Sequence, residues 1–550
     1  MRFIPTTLLA ALLASSAFAA QPVPVETAPP AGGSLQAGPA LDPVAVAFRG
    51  GLQAALADVP DAQRTAIESF YAARDYAPFW TETGASRSDE LLDVLGQAGD
   101  QALPAARYDA EGLRAGAAGD GPSREVALTR AYLAYAEDLA TGVVNPADVD
   151  VDITRRPAAV SPAALIAPLS VEPVAAALAG FEPTDPDYRR LVAEKQRLEA
   201  EYRSAGWGPA VSDGPTLHPG DTSPRVAELR GRLARLGYLA PDGEALDPTF
   251  DPALAAAAKA FQRDHGLVED GVVGKGTLAA VNAPLETRLA QIAVNLERMR
   301  WMPRDLGGRY LYVNIPDFSV KLVENGTPVW ESRVVVGKAL VTETAEFSDE
   351  MTYLVVNPTW YIPDSIAIRD YLPKLQRDPM VLKRQNIDLM TRGGTIINPK
   401  LVDFAQYTAE NFPFRIKQRP NDENALGKVK FMFPNEHSIY LHDTPHKEYF
   451  PREVRAYSNG CIRVEKPDEL AALLLAGQSA EPEAMFERLV GQKKEQSVTL
   501  ARPLPIHIAY RTVFTDATGT LRFRPDVYGR DARAFDLLEA AGVTLPAAQG

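Results

Sequence analysis

YLHDTPHKEYFPREVRAYSNGCIRV, residues 440–464, holds the only cysteine of a 550-residue chain, Cys461, and two of its six histidines, His442 and His446. Both ends of the stretch alternate. In HSIYLHD, Ile439 and Leu441 fall on one face of an extended segment and Tyr440 and His442 on the other. In GCIRV, Ile462 and Val464 fall on one face and Cys461 and Arg463 on the other. If the apolar residues enter a core, two strands turn reactive side chains toward one groove. By count alone a lone cysteine is equally a free thiol or intermolecular link, or a small buried hydrophobe. The pattern adds chemistry, because a thiol needs a base to become a thiolate near neutral pH, and imidazole within reach is the usual one. Gly460 lets the backbone approach a substrate closely, and its N–H and that of Cys461 are candidates to hold an oxyanion. Ser458 and Asn459 are candidates to orient the base or to fix the loop; spacing does not choose between them.

Working outward, the β pattern begins near residue 308. RYLYVNIPDFSVKLVENGTPVWESRVVVGK sets Leu311, Val313 and Ile315 against Tyr310, Tyr312 and Asn314, with Asn325-Gly326 as a hairpin turn. EMTYLVVNPTWYIP, KVKFMFPNEHSIYLHDT and a late hairpin within TLARPLPIHIAYRTVFTDATGTLRF add strands. An insertion over 365–427 is mixed in pattern, and insertions of that size are commonly functional loops or lids. Trp360, just before it, either lines the groove or anchors the insertion.

Upstream the pattern turns helical. MRFIPTTLLAALLASSAFAA carries Arg2, a short apolar run and Ala17-Phe18-Ala19, which predicts a cleaved signal peptide over 1–19, an exported protein and no stable membrane anchor. Residues 20–45 are rich in Pro, Ala and Gly and read as a flexible linker. Residues 46–205 read as a helical scaffold, with Leu128, Ala131, Tyr132, Tyr135 and Leu139 at helical spacing. In 222–283, Ser223 caps a first helix, Pro224 opens it and Gly237 ends it; a second helix stops at Gly266 and a short third follows. His265 is expected to cap or to lie at the surface. The net charge of −14 and the lack of a basic block argue against nucleic acid as the main partner.

The run from His442 to Cys461, 19 positions, resembles the catalytic motif of the L,D-transpeptidases, where a histidine precedes a Ser-x-Gly-Cys segment. FQRDHGLVEDGVVGKGTLAAVN resembles half of a three-helix peptidoglycan-binding domain. VVNPTWYIPDSIAIRDYLPKLQRDP, NALGKVKFMFPNEHSIYLHDTP, SNGCIRVEKPDEL and FRPDVYGRD extend the likeness to the large multidomain periplasmic branch. The resemblance implies a multidomain chain: an all-α scaffold, a peptidoglycan-binding module, and a mainly β catalytic domain over 305–515 with an inserted capping subdomain. Residues 516–550 are left as a C-terminal extension.

It further implies Cys461 as nucleophile and His442 as base, Ser458 and Gly460 as loop-shaping residues, and Tyr440, Arg463, Asn459 and Trp360 as substrate-binding candidates. Neither metal nor cofactor is implied. The expected partners are peptidoglycan stem peptides, donor and acceptor, with cell-wall synthesis proteins as further candidates. The implied reaction is attack on the diaminopimelate L-centre carbonyl, release of D-alanine and transfer to an acceptor amine; acylation by a carbapenem is also expected of the family. Water or a lipoprotein lysine as acceptor, and a non-catalytic wall-binding protein, are the alternatives. Many relatives read Ser-His-Gly-Cys, whereas Asn459 stands here, leaving His442 as the base to be preferred over His446, a candidate surface histidine. His507 is expected to pack or pair locally, and the insertion to close over the donor stem.

Overall fold

The computed structural model describes residues 42–82, 86–116, 119, 121–204, 206–240, 246–516 and 518–546. The expected signal peptide lies outside them, as does all but the end of the expected linker. That end is already helical: the first helix runs Pro43–Ala55, with Asp42 capping it. Its proline opens the helix without losing a needed donor.

The scaffold is a helical unit with its own core, built around the helix Pro122–Thr141. Leu128, Tyr132, Tyr135 and Leu139 face inward as their spacing predicts. Glu125, on the same helix, is fully buried and accepts hydrogen bonds from Tyr71 Oη and from the backbone N–H groups of Phe79, Trp80 and Thr81. A buried carboxylate is tolerated when several donors satisfy it.

The second module packs the helices Pro224–Arg235, Pro252–Asp264 and Lys275–Val281 around Val226, Leu229, Leu233, Leu254 and Phe261. Gly237 and Gly266 take φ of +85° and +68°, left-handed values that end helices and favour glycine. A long helix, Leu285–Trp301, follows and is buried along most of its length.

The β-domain strands are β1 (Arg309–Asn314), β2 (Ser319–Glu324), β3 (Thr327–Gly337), β4 (Phe347–Val356), β5 (Trp360–Ile362), β6 (Ile387–Met390), β7 (Ile396–Ile397), β8 (Arg415–Gln418), β9 (Val429–Met432), β10 (Leu441–His442), β11 (Ala456–Ser458), β12 (Ile462–Val464), β13 (Gln496–Ala509), β14 (Val513–Thr515) and β15 (Leu521–Phe523). The main sheet runs β11-β3-β12-β10-β9-β4-β13-β1-β2, and β2 also pairs with β3, closing it on itself. Closure leaves few free edges. Asn325 and Gly326 both have positive φ and join Glu324 to Thr327 as a two-residue hairpin. Leu311, Val313, Ile315, Phe431, Leu441, Ile462 and Val464 share the core beneath the sheet.

The insertion is a folded subdomain. Strands β5-β8-β6-β7 form a small sheet over a separate core that includes Ile362, Leu375, Leu389, Phe404 and Ile416. It begins at Trp360, before the expected boundary of 365, because β5 pairs with β8 through Trp360 and Gln418.

The expected C-terminal extension packs against the rest of the molecule, a role the sequence reading of 516–550 did not assign. β14 pairs with β15, and the helix Arg530–Ala540 buries Ala534 and Leu538 in the core that also holds Leu289, Ile292 and Leu296 of the long helix. The scaffold joins the β-domain through Ile153, which bridges to Glu346. His265 caps the helix, its Nδ1 2.9 Å from the Phe261 carbonyl, but it is buried: Phe261 stacks on it at 3.8 Å and Phe523 at 5.3 Å. The surface half of that expectation fails because β15 covers the ring.

Candidate active site

β10 and β12 run side by side in parallel, Leu441 opposite Ile462 and His442 opposite Arg463. The Ile462 N–H donates to the Tyr440 carbonyl at 3.1 Å. This register places Cys461 beside Tyr440 and one step from His442, with Leu441 and Ile462 between them turned into the core. On its other side His442 pairs with Lys430 of β9. The row Arg463–His442–Lys430 therefore sets a histidine between two cations.

His442 is buried, and its Nδ1 lies 2.5 Å from the Asp443 carbonyl. A carbonyl only accepts, so the proton sits on Nδ1 and Nε2 is the basic nitrogen. The Asp443 carboxylate is itself buried and fixed, accepting from the Lys428 and Thr444 N–H groups and from Lys447. Burial, helped by the Arg463 charge and by Lys430 and Lys447, pushes the imidazole down to about 3. Burial also pushes the Cys461 thiol up to about 11, although hydrogen bonding from Tyr440 and the charges of Arg463 and Lys430 pull the other way. The resting site is therefore a neutral thiol beside a neutral imidazole. A thiolate forms from such a pair only together with proton transfer to a base.

The turn before Cys461 is tightly held. The Ser458 hydroxyl donates to the Cys461 carbonyl at 2.5 Å and accepts from the Gly460 N–H at 3.2 Å. Ser458 thus fixes the loop and makes no hydrogen bond to His442 among the described residues. Because the Gly460 N–H is used there, it is not available to an oxyanion. The Cys461 N–H has no hydrogen-bond partner among the described residues. Gly460 has φ of +105°, which favours glycine.

Residues 308–482 match the model of the YkuD domain, described as the L,D-transpeptidase catalytic domain. The chain thus carries a domain similar to that family over those residues. Residues 65–194 match a scaffold domain and 222–281 a "Putative peptidoglycan binding domain". A Haemophilus influenzae protein named "Putative L,D-transpeptidase" is 34% identical over 255 residues, covering 46% of this chain and 50% of that protein. The N-acetylmuramoyl-L-alanine amidase CwlM of Mycobacterium tuberculosis is 39% identical over 80 residues, covering 13% of this chain and 20% of that protein. The chain thus spans half or less of the curated relatives it matches. The crystal structure of an L,D-transpeptidase from Stackebrandtia nassauensis aligns at 15% identity over 57% of this chain and all of that one; its TM-score of 0.22 is too low to support any argument.

Within this transpeptidase domain, six of the expected residues come together: Tyr440, His442, Ser458, Asn459, Gly460 and Cys461 all lie on or beside β10 and the β11–β12 turn. Arg463 joins them as the in-register neighbour of His442. Trp360 packs on the core of the insertion, the anchoring alternative expected for it. His446 is exposed and bonded to Glu448, and His507 is buried between Ser348 and the Leu306 carbonyl, both as expected.

Sequence reasoning missed Lys430, the Asp443 carbonyl and Arg369. Lys430 had a visible signal, since KVKFMF alternates around Val429 and Phe431, but its pairing with His442 had none. Arg369, on the insertion, donates to Asn459 Oδ1 at 2.8 Å, so the residue that departs from the usual histidine holds a hydrogen bond across subdomains.

Proposed function

We propose that the chain is an exported, cysteine-dependent L,D-transpeptidase that acts on peptidoglycan stem peptides in the periplasm. The observation that carries the reading is the pairing of half-buried Cys461, one register step along parallel strands, with a His442 whose Nδ1 proton is spent on the Asp443 carbonyl. Cys461 Sγ attacks the diaminopimelate L-centre carbonyl of a tetrapeptide donor as its proton passes to His442 Nε2. The imidazolium then protonates the departing D-alanine nitrogen and the C–N bond breaks. His442 takes a proton from the acceptor amine as it attacks the thioester carbonyl, the C–S bond breaks, and the imidazolium returns the proton to the departing Cys461 sulfur.

The flanking cations give this scheme a role for the substrate. Arg463 and Lys430 oppose an imidazolium at His442 and attract an anion. The Arg463 guanidinium lies over the Tyr449 ring, and its Nε is buried without a hydrogen-bond partner among the described residues. A stem carboxylate settled between the two cations cancels their field and raises the basicity of His442 when the donor is bound.

The test is mass spectrometry of muropeptides after incubation with purified tetrapeptide stems. The expected products are free D-alanine and a diaminopimelate–diaminopimelate crosslink, both lost in Cys461→Ala and His442→Ala and kept in His446→Ala. Tripeptide without crosslink identifies water as the acceptor instead. A protein that binds sacculi but yields no Cys461-dependent product refutes the catalytic reading.

A further inference from the structure

We propose that Thr344 is a positioning residue that aims the Cys461 N–H at the oxyanion of the reaction, and that the C-terminal segment holds Thr344 in place. The inference rests on the acyl-transfer reading above and assigns a role to residues well outside the nucleophile turn.

Thr344 lies at the end of the β3–β4 connection and is fully buried. Its hydroxyl is engaged on both sides: the Gly337 N–H donates to it at 2.9 Å, and it contacts the Gly460 carbonyl at 2.8 Å. A backbone N–H only donates and a carbonyl only accepts, so the single hydroxyl proton is directed to Gly460 O. That carbonyl belongs to the same planar peptide as the Cys461 N–H, and in a trans peptide the two point in opposite directions. Holding the carbonyl against the buried threonine therefore turns the N–H the other way. Among the described residues the Cys461 N–H, on the nucleophile itself, has no partner, whereas the Ser458 carbonyl is held by the Lys338 N–H and Thr342 and the Gly460 N–H by Ser458. A fixed donor beside the nucleophile is what a developing oxyanion requires.

Thr344 is itself anchored from the C-terminal segment. Its N–H donates to Tyr528 Oη at 3.2 Å, and the same hydroxyl donates to the Gly337 carbonyl at 2.9 Å. The Tyr528 N–H in turn donates to Tyr510 Oη at 2.7 Å. The FRPDVYGRD segment thus reaches the oxyanion donor through two hydroxyl groups.

Two probes of Cys461 separate this role from general support. Iodoacetamide alkylates the thiol by displacement and develops no oxyanion; p-nitrophenyl acetate acylates it through one. In the full-length protein, Thr344→Val is expected to slow acylation roughly 10–100-fold while alkylation stays within about twofold. Thr344→Ser keeps the hydroxyl and restores acylation; Tyr528→Phe slows it in the same selective way but less. Equal loss of both reactions, or unchanged acylation in Thr344→Val, overturns the proposal. If Thr344→Val does not fold, Tyr528→Phe decides, and unchanged acylation there overturns it too. Wild-type protein that is alkylated at Cys461 but never acylated refutes the acyl-transfer reading and this proposal with it, an outcome distinct from the others.

Discussion

Arg369 donates a hydrogen bond to Asn459 Oδ1 at 2.8 Å and so ties the inserted subdomain to the turn that presents Cys461. Asp370 next to it takes the same guanidinium through both carboxylate oxygens and fixes its direction. If the insertion keeps water from the thioester, the clasp governs how the intermediate divides between amine and water. A charge-assisted hydrogen bond at an exposed site contributes about 1 kcal/mol, so Arg369→Ala and Asn459→Ala should each raise the hydrolysis-to-crosslink ratio roughly fivefold. The double variant should do no more than either single one, because one shared contact is lost. Additive effects would mean that the residues act separately.

The pKa directions at the site set the reactivity of the free thiol. With Cys461 pushed up to about 11, roughly one thiol in 10⁴ is ionised at pH 7. Iodoacetamide alkylation of the substrate-free protein should therefore be slow at pH 7 and rise about tenfold per pH unit toward pH 11. A preformed thiolate–imidazolium pair would instead give a plateau through neutral pH. Stopped-time mass spectrometry from pH 5 to 11 distinguishes the two profiles.

Acid should loosen the molecule through histidines far from the chemistry as well as at it. Burial holds His265 and His442 down at about 3 and His507 at about 4. Their folded values lie below the unfolded one near 6.5, so the unfolded chain binds more protons and stability falls as pH drops below about 6.5. Each costs about 2 kcal/mol by pH 5. The onset of thermal unfolding should drop between pH 7 and pH 5. His265→Phe, which keeps a ring between Phe261 and Phe523, should reduce that drop. An equal drop in the variant would show that His265 does not contribute.

Legibility in the sequence followed the range of the interaction. The Asn325-Gly326 hairpin, the Ser223 cap and the strand faces around Cys461 and His442 rest on local rules, namely positive φ, a hydroxyl three residues from its N–H, and period two. The helical scaffold, the three-helix module and the β-domain with its insertion were legible for the same reason. What was hidden joins distant residues. His265 meets Phe523 across 258 positions, and no periodicity encodes that approach. Asn459 looked like a lost histidine because its partner, Arg369, comes from another subdomain. The Gly460 N–H looked free until the Ser458 rotamer was known. Residues 516–550 read only as a C-terminal extension because Ala534 and Leu538 complete a core begun by the distant long helix.

That last point carries the remaining test. The Arg530 guanidinium, fully buried, donates to Asp150 at 2.9 Å, Glu346 at 2.7 Å and Glu343 at 3.0 Å. It therefore joins the scaffold, the start of β4 and the connection that leads to Thr344. Removing one member of a buried charge network leaves the others unpaired and costs about 3–5 kcal/mol. Arg530→Met fills similar volume without the charge and should lower the unfolding temperature clearly. Limited proteolysis should cut first near residues 150–155, where the scaffold joins Glu346. Arg533→Met, whose side chain is exposed and reaches only the Asp148 carbonyl, is the matched control and should stay close to wild type. Equal behaviour of the two variants would reduce Arg530 to an ordinary helix residue and leave the C-terminal helix held by its apolar face alone.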